Sequence, residues 1–460
     1  MIDGAETNPR NSAQDHGSPR PTAASPDADH VEPAAGFAQA KGILIAIALL
    51  QTYQGYALSI AGVASPWIAA SFHLDQASLA RLFAWMSTSA IGSLLLARMA
   101  DRVGRRKIIL ASLSLVPIFS AGAALSTRPA LFAAFEILIS ALLGGSVSSA
   151  IVLLAEELPV TWRSRGQAVA AFASAAGGIL PYPLIPVLIH LNVSWRWMLL
   201  PSVAGISLIA PISRMLPEPA AWTRTSTDDN TQTSFYDIFH PLYRRRSLTL
   251  LVCAALDTMA GTAVNGWLYF EAVSVIGLFP ARASMLVVIG MAVGMLGFPA
   301  GAWTSERFGR VPTVAYFGGI GWLGALAFYH GAPRLFSHPF LWLLISYCWF
   351  KIASSIMTVG ANSAATELLP AALRTTMVGW QMITGAAFSV LAQVLIAALI
   401  GPMGGLSNVI KNFALLGFPS ALFFGLFIDE TRGLPLAVAA REEEWEKLHR
   451  STTSNRSRNA

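Results

Sequence analysis

The sequence predicts an all-α membrane protein, with twelve transmembrane helices in two six-helix, pseudo-symmetric bundles. Three observations carry this prediction. The 460 residues are 54% hydrophobic and only 12% charged, against about 25% charged in an ordinary soluble domain. The apolar residues fall into twelve runs, with cores near 43–68, 79–99, 108–127, 131–153, 166–190, 195–215, 247–270, 283–303, 312–330, 339–362, 376–400 and 408–428. Crossing a bilayer takes about 20 such residues, and a soluble fold buries one or two runs of that length, not a dozen. The third observation is a repeat. Glu156, Pro159 and Arg163 spell E-x-x-P-x-x-x-R, and Glu367, Pro370 and Arg374 spell it again 211 residues later (156 to 367). Asp101-Arg102-Val103-Gly104-Arg105-Arg106 is echoed 205 residues later (101 to 306) by Glu306-Arg307-Phe308-Gly309-Arg310-Val311.

In chain order, residues 1–40 are rich in Ala, Pro, Asp, Asn and Ser and poor in large apolar side chains, the composition of a disordered tail. They lack the basic-then-apolar pattern of a signal peptide, so the first span is expected to direct insertion. Residues 41–215 hold six spans and 247–430 hold six more. Prolines 117, 181, 183 and 299 fall inside spans, where neighbouring helices satisfy the freed backbone groups. The connection 216–246 is the longest and is expected to be a cytoplasmic loop between the halves. Residues 431–460 form a C-terminal tail, and 436–449 (LAVAAREEEWEKLH) read as a short amphipathic helix at the membrane surface. Cys253 and Cys348 lie in apolar runs and are expected to be reduced core residues.

Orientation follows from Lys and Arg in the short loops. One side holds fifteen of them: Arg98, Arg102, Arg105, Arg106, Lys107, Arg163, Arg165, Arg214, Arg224, Arg244, Arg245, Arg246, Arg307, Arg310 and Arg374. The other holds six: Arg81, Arg128, Arg196, Arg282, Arg334 and Lys411. The richer side is expected to face the cytoplasm, with both termini inside and the chain multi-pass in the plasma (inner) membrane. The net charge of +6 belongs to this asymmetry and implies no nucleic-acid partner.

The loop motifs place Arg beside Asp and Glu at helix ends. An Arg fork holds a carboxylate bidentately, and an acidic side chain caps a helix start. Asp101, Arg102, Arg105, Glu156 and Arg163 in one half, and Glu306, Arg307, Arg310, Glu367 and Arg374 in the other, are therefore expected to form a cytoplasmic gate. The second copy has Glu306 for Asp and Val311 for Arg, so the tighter clip is expected in the first half. Positive-inside topology alone is the competing explanation of the arginines. Internal duplication is itself a common construction of secondary transporters.

These residues resemble the major facilitator superfamily. Residues 98–107 (RMADRVGRRK) are similar to that family's loop between spans two and three. The paired E-x-x-P-x-x-x-R, Trp195-Arg196-Trp197, Pro217-Glu218-Pro219 and Glu430-Thr431-Arg432-Gly433 resemble its sugar-porter and metabolite–proton symporter branch. The likeness spans residues 41–435. It implies alternating access, with spans one, four, seven and ten lining a central cavity. The chain departs from the branch at Ala97, Glu306 and Val311, and at Gln54-Gly55-Tyr56-Ala57, where acidic residues are usual. Ser140 stands near a usual Arg.

Ionisable groups inside spans are costly and mark functional hypotheses. Glu136 lies in span four, Asp257 in span seven and Lys351 in span ten. Asp257 and Glu136 are proton-coupling candidates, with Lys351 as the expected partner of Asp257 or an anchor for an anionic substrate. A structural Asp257–Lys351 pair competes with that reading, as does solvation of Glu136 near its outer span end. Helical spacing gives three polar stripes: Tyr347, Lys351, Ser355, Thr358 and Asn362; Asp257, Gly261 and Asn265; Glu136, Ser140, Gly144 and Ser148. With Gln51, Tyr53, Gln54 and Tyr56 of span one, they make the expected substrate cavity.

No G-x-x-x-x-G-K-[ST] loop is present to support ATP drive, and no H-E-x-x-H, G-x-S-x-G or Cys/His ligand cluster supports an enzyme, a cofactor or a metal. The expected function is secondary active transport of a small polar organic solute, such as an organic acid or sugar-like metabolite, by alternating access, with the proton coupling that the resemblance implies. A proton-driven exporter of a drug or natural product and a non-transporting sensor are the alternatives. The expected partners are the solute, protons and the lipid bilayer, and the chain is expected to act as a monomer.

Overall fold

The computed structural model describes residues 34–158, 160–216, 236–331 and 339–444. Among the described residues, twelve helical segments are long and apolar enough to span a membrane. In order they are Ala40–Val63, Gln76–Ala100, Arg105–Leu125, Pro129–Leu154, Gly166–His190, Trp195–Met215, Arg244–Val275, Pro280–Phe308, Arg310–His330, Pro339–Ala365, Thr376–Leu399 and Leu406–Phe427. The first helix begins earlier, at Ala34, inside the expected tail. Most of the connection between the halves and most of both tails lie outside the described residues.

The halves repeat each other down to their irregularities. Span two breaks at Thr88 and span eight at Leu296, 208 residues apart (88 to 296). Span six changes from 3-10 to α-helix at Gly205 and span twelve resumes after a turn at Gly417, 212 residues apart (205 to 417). Spans three and nine both start from a glycine of positive φ, Gly104 at 111° and Gly309 at 108°, where a side chain would strain the backbone. Span seven ends in a π-helical turn, Glu271–Val275.

Small residues set the helix spacing. Tyr347 packs where a Cβ on Gly290 would sit, Lys351 Cβ lies over Gly294, and Ser355 lies over Gly297, so span ten seats in a glycine groove of span eight. Gly55 and Gly177 likewise bring spans one and five to backbone contact.

The end carrying the Gly104 and Gly309 turns is called the motif end, and the other the far end. The halves meet mainly over the far part of the molecule. There the far segment of span two packs on span eleven, and helix Pro181–His190 packs on helix Pro280–Met295. Contact thins toward the motif end, where Gly297–Phe308 makes no comparable contact with the other half.

Candidate functional site

Lys351 sits near the middle of span ten, and its Nζ donates to Asn265 Oδ1 of span seven at 3.2 Å. Its ammonium also lies 5.8 Å from the centre of the Tyr347 ring. The structure does not pair it with Asp257. No ion pair joins the two, and Asp257 is turned toward Ser420 of span twelve and Trp322 of span nine. One Asp257 oxygen, Oδ1, is buried without a hydrogen-bond partner. The expected stripe explains the difference. Positions 257 and 265 are about 80° apart around a helix of 3.6 residues per turn, enough to aim them at different neighbours.

Glu136 is 3% exposed, so solvation near the span end does not describe it. It stands one turn from Phe132, whose ring meets Phe72 and Trp195. No described residue forms a hydrogen bond or ion pair with its carboxyl. Further along the same stripe, Ser140 offers its carbonyl to Ser93 at 3.4 Å, and Gly144 lies against the Ser93 side chain. This part of the stripe is a helix-packing seam with span two.

Span one divides into two faces. Tyr53 donates to Ser202 O at 2.9 Å and Tyr56 to Met198 O at 2.6 Å, so both expected cavity tyrosines clamp span six instead. Gln54 Nε2 donates to Ser146 Oγ of span four at 2.8 Å. Its Oε1 and that of Gln51 are buried without a hydrogen-bond partner. On span ten, Ser355 is spent on the Gly297 contact, while Thr358 and Asn362 are exposed toward the motif end. Span eleven contributes Gln393, whose Oε1 accepts from the Trp267 indole at 3.2 Å.

The far end is sealed by rings from both halves. Trp67 stacks on Tyr269 with centroids 6.1 Å apart, Tyr182 meets the same ring edge-on at 5.6 Å, and Phe83 meets Trp267 at 5.1 Å. Gln76 Oε1 of span two accepts from the Leu406 amide of span twelve at 3.3 Å. Sequence periodicity did not single out these rings, because aromatic residues are spread through most spans.

At the motif end, the described ion pairs lie within the second half. Arg310 reaches Glu367 at 3.0 Å, and Glu367 also accepts from Thr431. Glu430 caps the start of span nine, accepting from the Arg310 and Val311 amides at 2.9 Å each. An acidic side chain there meets the positive end of the helix dipole. Gly309 is required by this cap as well as by its φ, since a Cβ would lie 2.6 Å from Glu430 Oε2.

Arg246, read from sequence only as a topological charge, is 8% exposed. It binds Asp429 at 2.9 Å, Ala439 O at 2.9 Å and Leu368 O at 3.2 Å. Tyr243 donates to Ala440 O at 3.0 Å, and burial pushes its hydroxyl up to about 12, so it remains a donor. The C-terminal segment is therefore docked on the bundle. Helix Leu436–Ala439 breaks at Arg441, with φ 50°, and residues 442–444 are helical again; the rest of the expected 436–449 helix lies outside the described residues.

Several expected gate residues do not join this network. Arg374 turns to Glu442 at 3.8 Å and to Leu369 O. Glu306 is exposed and pairs with no described residue, and Arg307 lies over Trp303 and Phe308. Arg102 is exposed. In the first half, Arg106 donates to Ser213 O at 2.7 Å, tying span three to span six. The side chains of Asp101, Glu156 and Arg163 lie outside the described residues, and with them the expected clip to Arg105.

One surface hollow of about 800 Å³ is lined by Ala315, Gly319, Leu422 and other apolar residues. It holds none of the polar groups above and lies between spans nine and twelve, on a surface hydrocarbon would cover.

Comparison with known proteins agrees with this architecture. The chain is 23% identical over 383 residues to the gentisate transporter of Corynebacterium glutamicum, covering 80% of this chain and 83% of that one. It is 25% identical over 418 residues to the gallate transporter of Pseudomonas putida, covering 82% and 89%. An inward-open structure of the xylose transporter XylE from E. coli superposes with a TM-score of 0.69 at 17% identity, covering 87% of this chain and 99% of that one. Residues 47–393 match the profile of the Major Facilitator Superfamily, and with that match over most of its length the chain belongs to this family.

Proposed function

We propose that the chain is a secondary transporter that moves a small organic acid by alternating access, coupled to protons, with Lys351 and Asn265 as the anchor for the substrate carboxylate. The observation that carries this reading is Lys351 itself. It is a cation at mid-membrane whose one hydrogen bond among the described residues goes to a neutral amide. A charge at that depth ordinarily has a counter-charge, and an anionic solute would supply it. The names of similar proteins support the same chemistry: transporters of gentisate, gallate, 4-hydroxybenzoate and cis,cis-muconate all carry carboxylates.

Glu136 and Asp257 are the proton-coupling candidates. Glu136 is a buried residue and Asp257 has a buried carboxyl oxygen, neither with a basic partner among the described residues, and burying a carboxylate charge that way is costly. Proton uptake removes the cost. The arginine-rich motif end faces the cytoplasm in this reading, both termini with it, and the protein acts in the plasma membrane. The conformation described is then the one in which the far, outer end is shut.

Uptake of radiolabelled hydroxybenzoates into proteoliposomes, with the outside acidic, tests the proposal. Wild type is expected to accumulate the acid and to ignore its neutral amide analogue. Lys351→Met is expected to lose at least about tenfold in apparent affinity, roughly the 1.5–3 kcal/mol of a hydrogen bond to a charged group. Equal uptake of acid and amide would overturn the carboxylate assignment.

A further inference from the structure

We propose that Glu271 is a proton-binding latch of the far-end closure, separate from the coupling candidates in the span interiors. It rests on the alternating-access reading but on no assignment of substrate.

Glu271 directly follows the seventh apolar run, 247–270, a place where an ionised carboxyl is most easily housed by water. Instead it is 2% exposed. Its Oε1 accepts from the Ser407 hydroxyl at the start of span twelve. Its Oε2 is buried and accepts no hydrogen bond. The residue opens the π-helical turn that closes span seven, and such turns are rare and frequently sit at functional sites. Two residues before it, Tyr269 carries the ring that packs on Trp67 and Tyr182 of the other half. The Tyr269 hydroxyl donates to Pro280 O at 3.2 Å, which fixes the turn against span eight. Anything that moves this turn pulls on the seal.

The charged and titratable groups around Glu271 are few. Lys411 of span twelve acts on it electrostatically and lies 3.5 Å from Asn408 Oδ1. Tyr329 of span nine faces it and donates to Val264 O. Arg282, on the helix that follows the π-turn, is exposed. No described cation forms an ion pair with it. Inside the seal, a charge with one hydroxyl donor and one unpaired oxygen is poorly housed, whereas the neutral acid is tolerated. In an opened far end, water and Lys411 would house the anion.

The proton thus binds the closed state better than the open one, and a ligand with that preference shifts the population toward closure. On opening, the proton leaves the carboxyl for water at the far side. On closing, it returns. The two candidates within the spans have no such contact with the seal.

The experiment uses full-length protein in lipid nanodiscs, without solute. Spin labels are placed at Leu191 and Phe279, which are exposed at the far end of opposite halves, in a Cys253→Ala, Cys348→Ala background. In wild type, the long-distance population is expected to grow as pH rises from 5.5 to 8.5. Its slope should not exceed about tenfold in the open-to-closed ratio per pH unit, the limit for one proton. Glu271→Gln, which mimics the neutral acid, is expected to stay short throughout. A Glu271→Gln protein that titrates like wild type would overturn the proposal. Should that variant fail to fold, wild-type protein treated with a hydrophobic carbodiimide, which modifies protonated carboxyls, gives an independent readout. Modification at Glu271, read by mass spectrometry, should fall with pH alongside the short-distance population. A pH-independent level there would overturn the latch equally. Because no solute is present, failure here leaves the carboxylate-anchor assignment standing, and failure of solute uptake leaves the latch standing.

Discussion

Replacing Arg246 tests whether the motif end is held by an ion pair or by a buried arginine that satisfies backbone carbonyls. Its side chain is 10% exposed, while that of Asp429 is 49% exposed. An ion pair with one half-exposed partner contributes about 0–1 kcal/mol. The bonds to Leu368 O and Ala439 O are buried, and bonds from a charged donor contribute about 1.5–3 kcal/mol each. Arg246→Met is therefore expected to cost about 3–6 kcal/mol, and Asp429→Asn about 1 kcal/mol or less. Arg246→Lys should fall between them, because one ammonium does not reproduce the planar fork that reaches three acceptors. The assay is thermal unfolding of the purified protein in detergent, comparing the three variants under one condition. Limited proteolysis adds a local readout, since the Ala439 bond docks the C-terminal segment. If Asp429→Asn costs as much as Arg246→Met, the carbonyl argument is wrong and the ion pair carries the stability.

Other predictions use the same reasoning. Gly309→Ala combines a φ of 108° with a Cβ placed 2.6 Å from Glu430 Oε2, so it is expected to lower thermal stability by at least about 1 kcal/mol. Adding Glu430→Ala to Gly309→Ala relieves the clash but leaves the backbone strain and removes the cap on the Arg310 and Val311 amides, so the double variant should stay below wild type. Asp75 caps the second span's helix, accepting from the Ser78 amide at 3.1 Å. The Ser78 hydroxyl, and then this amide contact, hold its carboxyl below the usual carboxylate range. A depressed folded value means the contribution is complete above the unfolded value of about 3.9 and is lost as pH falls through the lower folded value. Wild type is thus expected to lose more stability than Asp75→Asn on acidification below about pH 4, and equal losses would remove the cap from the account.

The spans were legible in sequence because length and hydropathy alone decide whether a helix crosses hydrocarbon. The clearest boundary error came at span seven. The seventh apolar run, read as 247–270, stops one residue short of Glu271, and the structure continues the span through a buried Glu271 into a π-helical turn. The repeat was legible too, and Gly104 and Gly309 keep it at the level of backbone dihedral. The stripes were less informative. Periodicity says which residues share a helix face, but not which neighbour that face meets. Tyr53 and Tyr56 went to span six, Asp257 to spans nine and twelve, and only Lys351 and Asn265 came together across helices. In the second motif, Glu367 with Arg310 followed from the pattern. Arg374 with Glu442 did not, because that partner lies in a tail the repeat does not include. Arg246 was hidden among three adjacent arginines, where nothing in the sequence says which one the fold buries.

The central claim is that a carboxylate solute and protons move together through this chain. Solute-driven proton flux tests it most directly: reconstituted protein, a pH-sensitive dye sealed inside, zero membrane potential, and hydroxybenzoate added outside at equal pH. Interior acidification is expected to exceed that of protein-free vesicles and to disappear with Lys351→Met. Saturable binding of the acid by wild type with no flux above protein-free vesicles would contradict it and identify a receptor rather than a transporter.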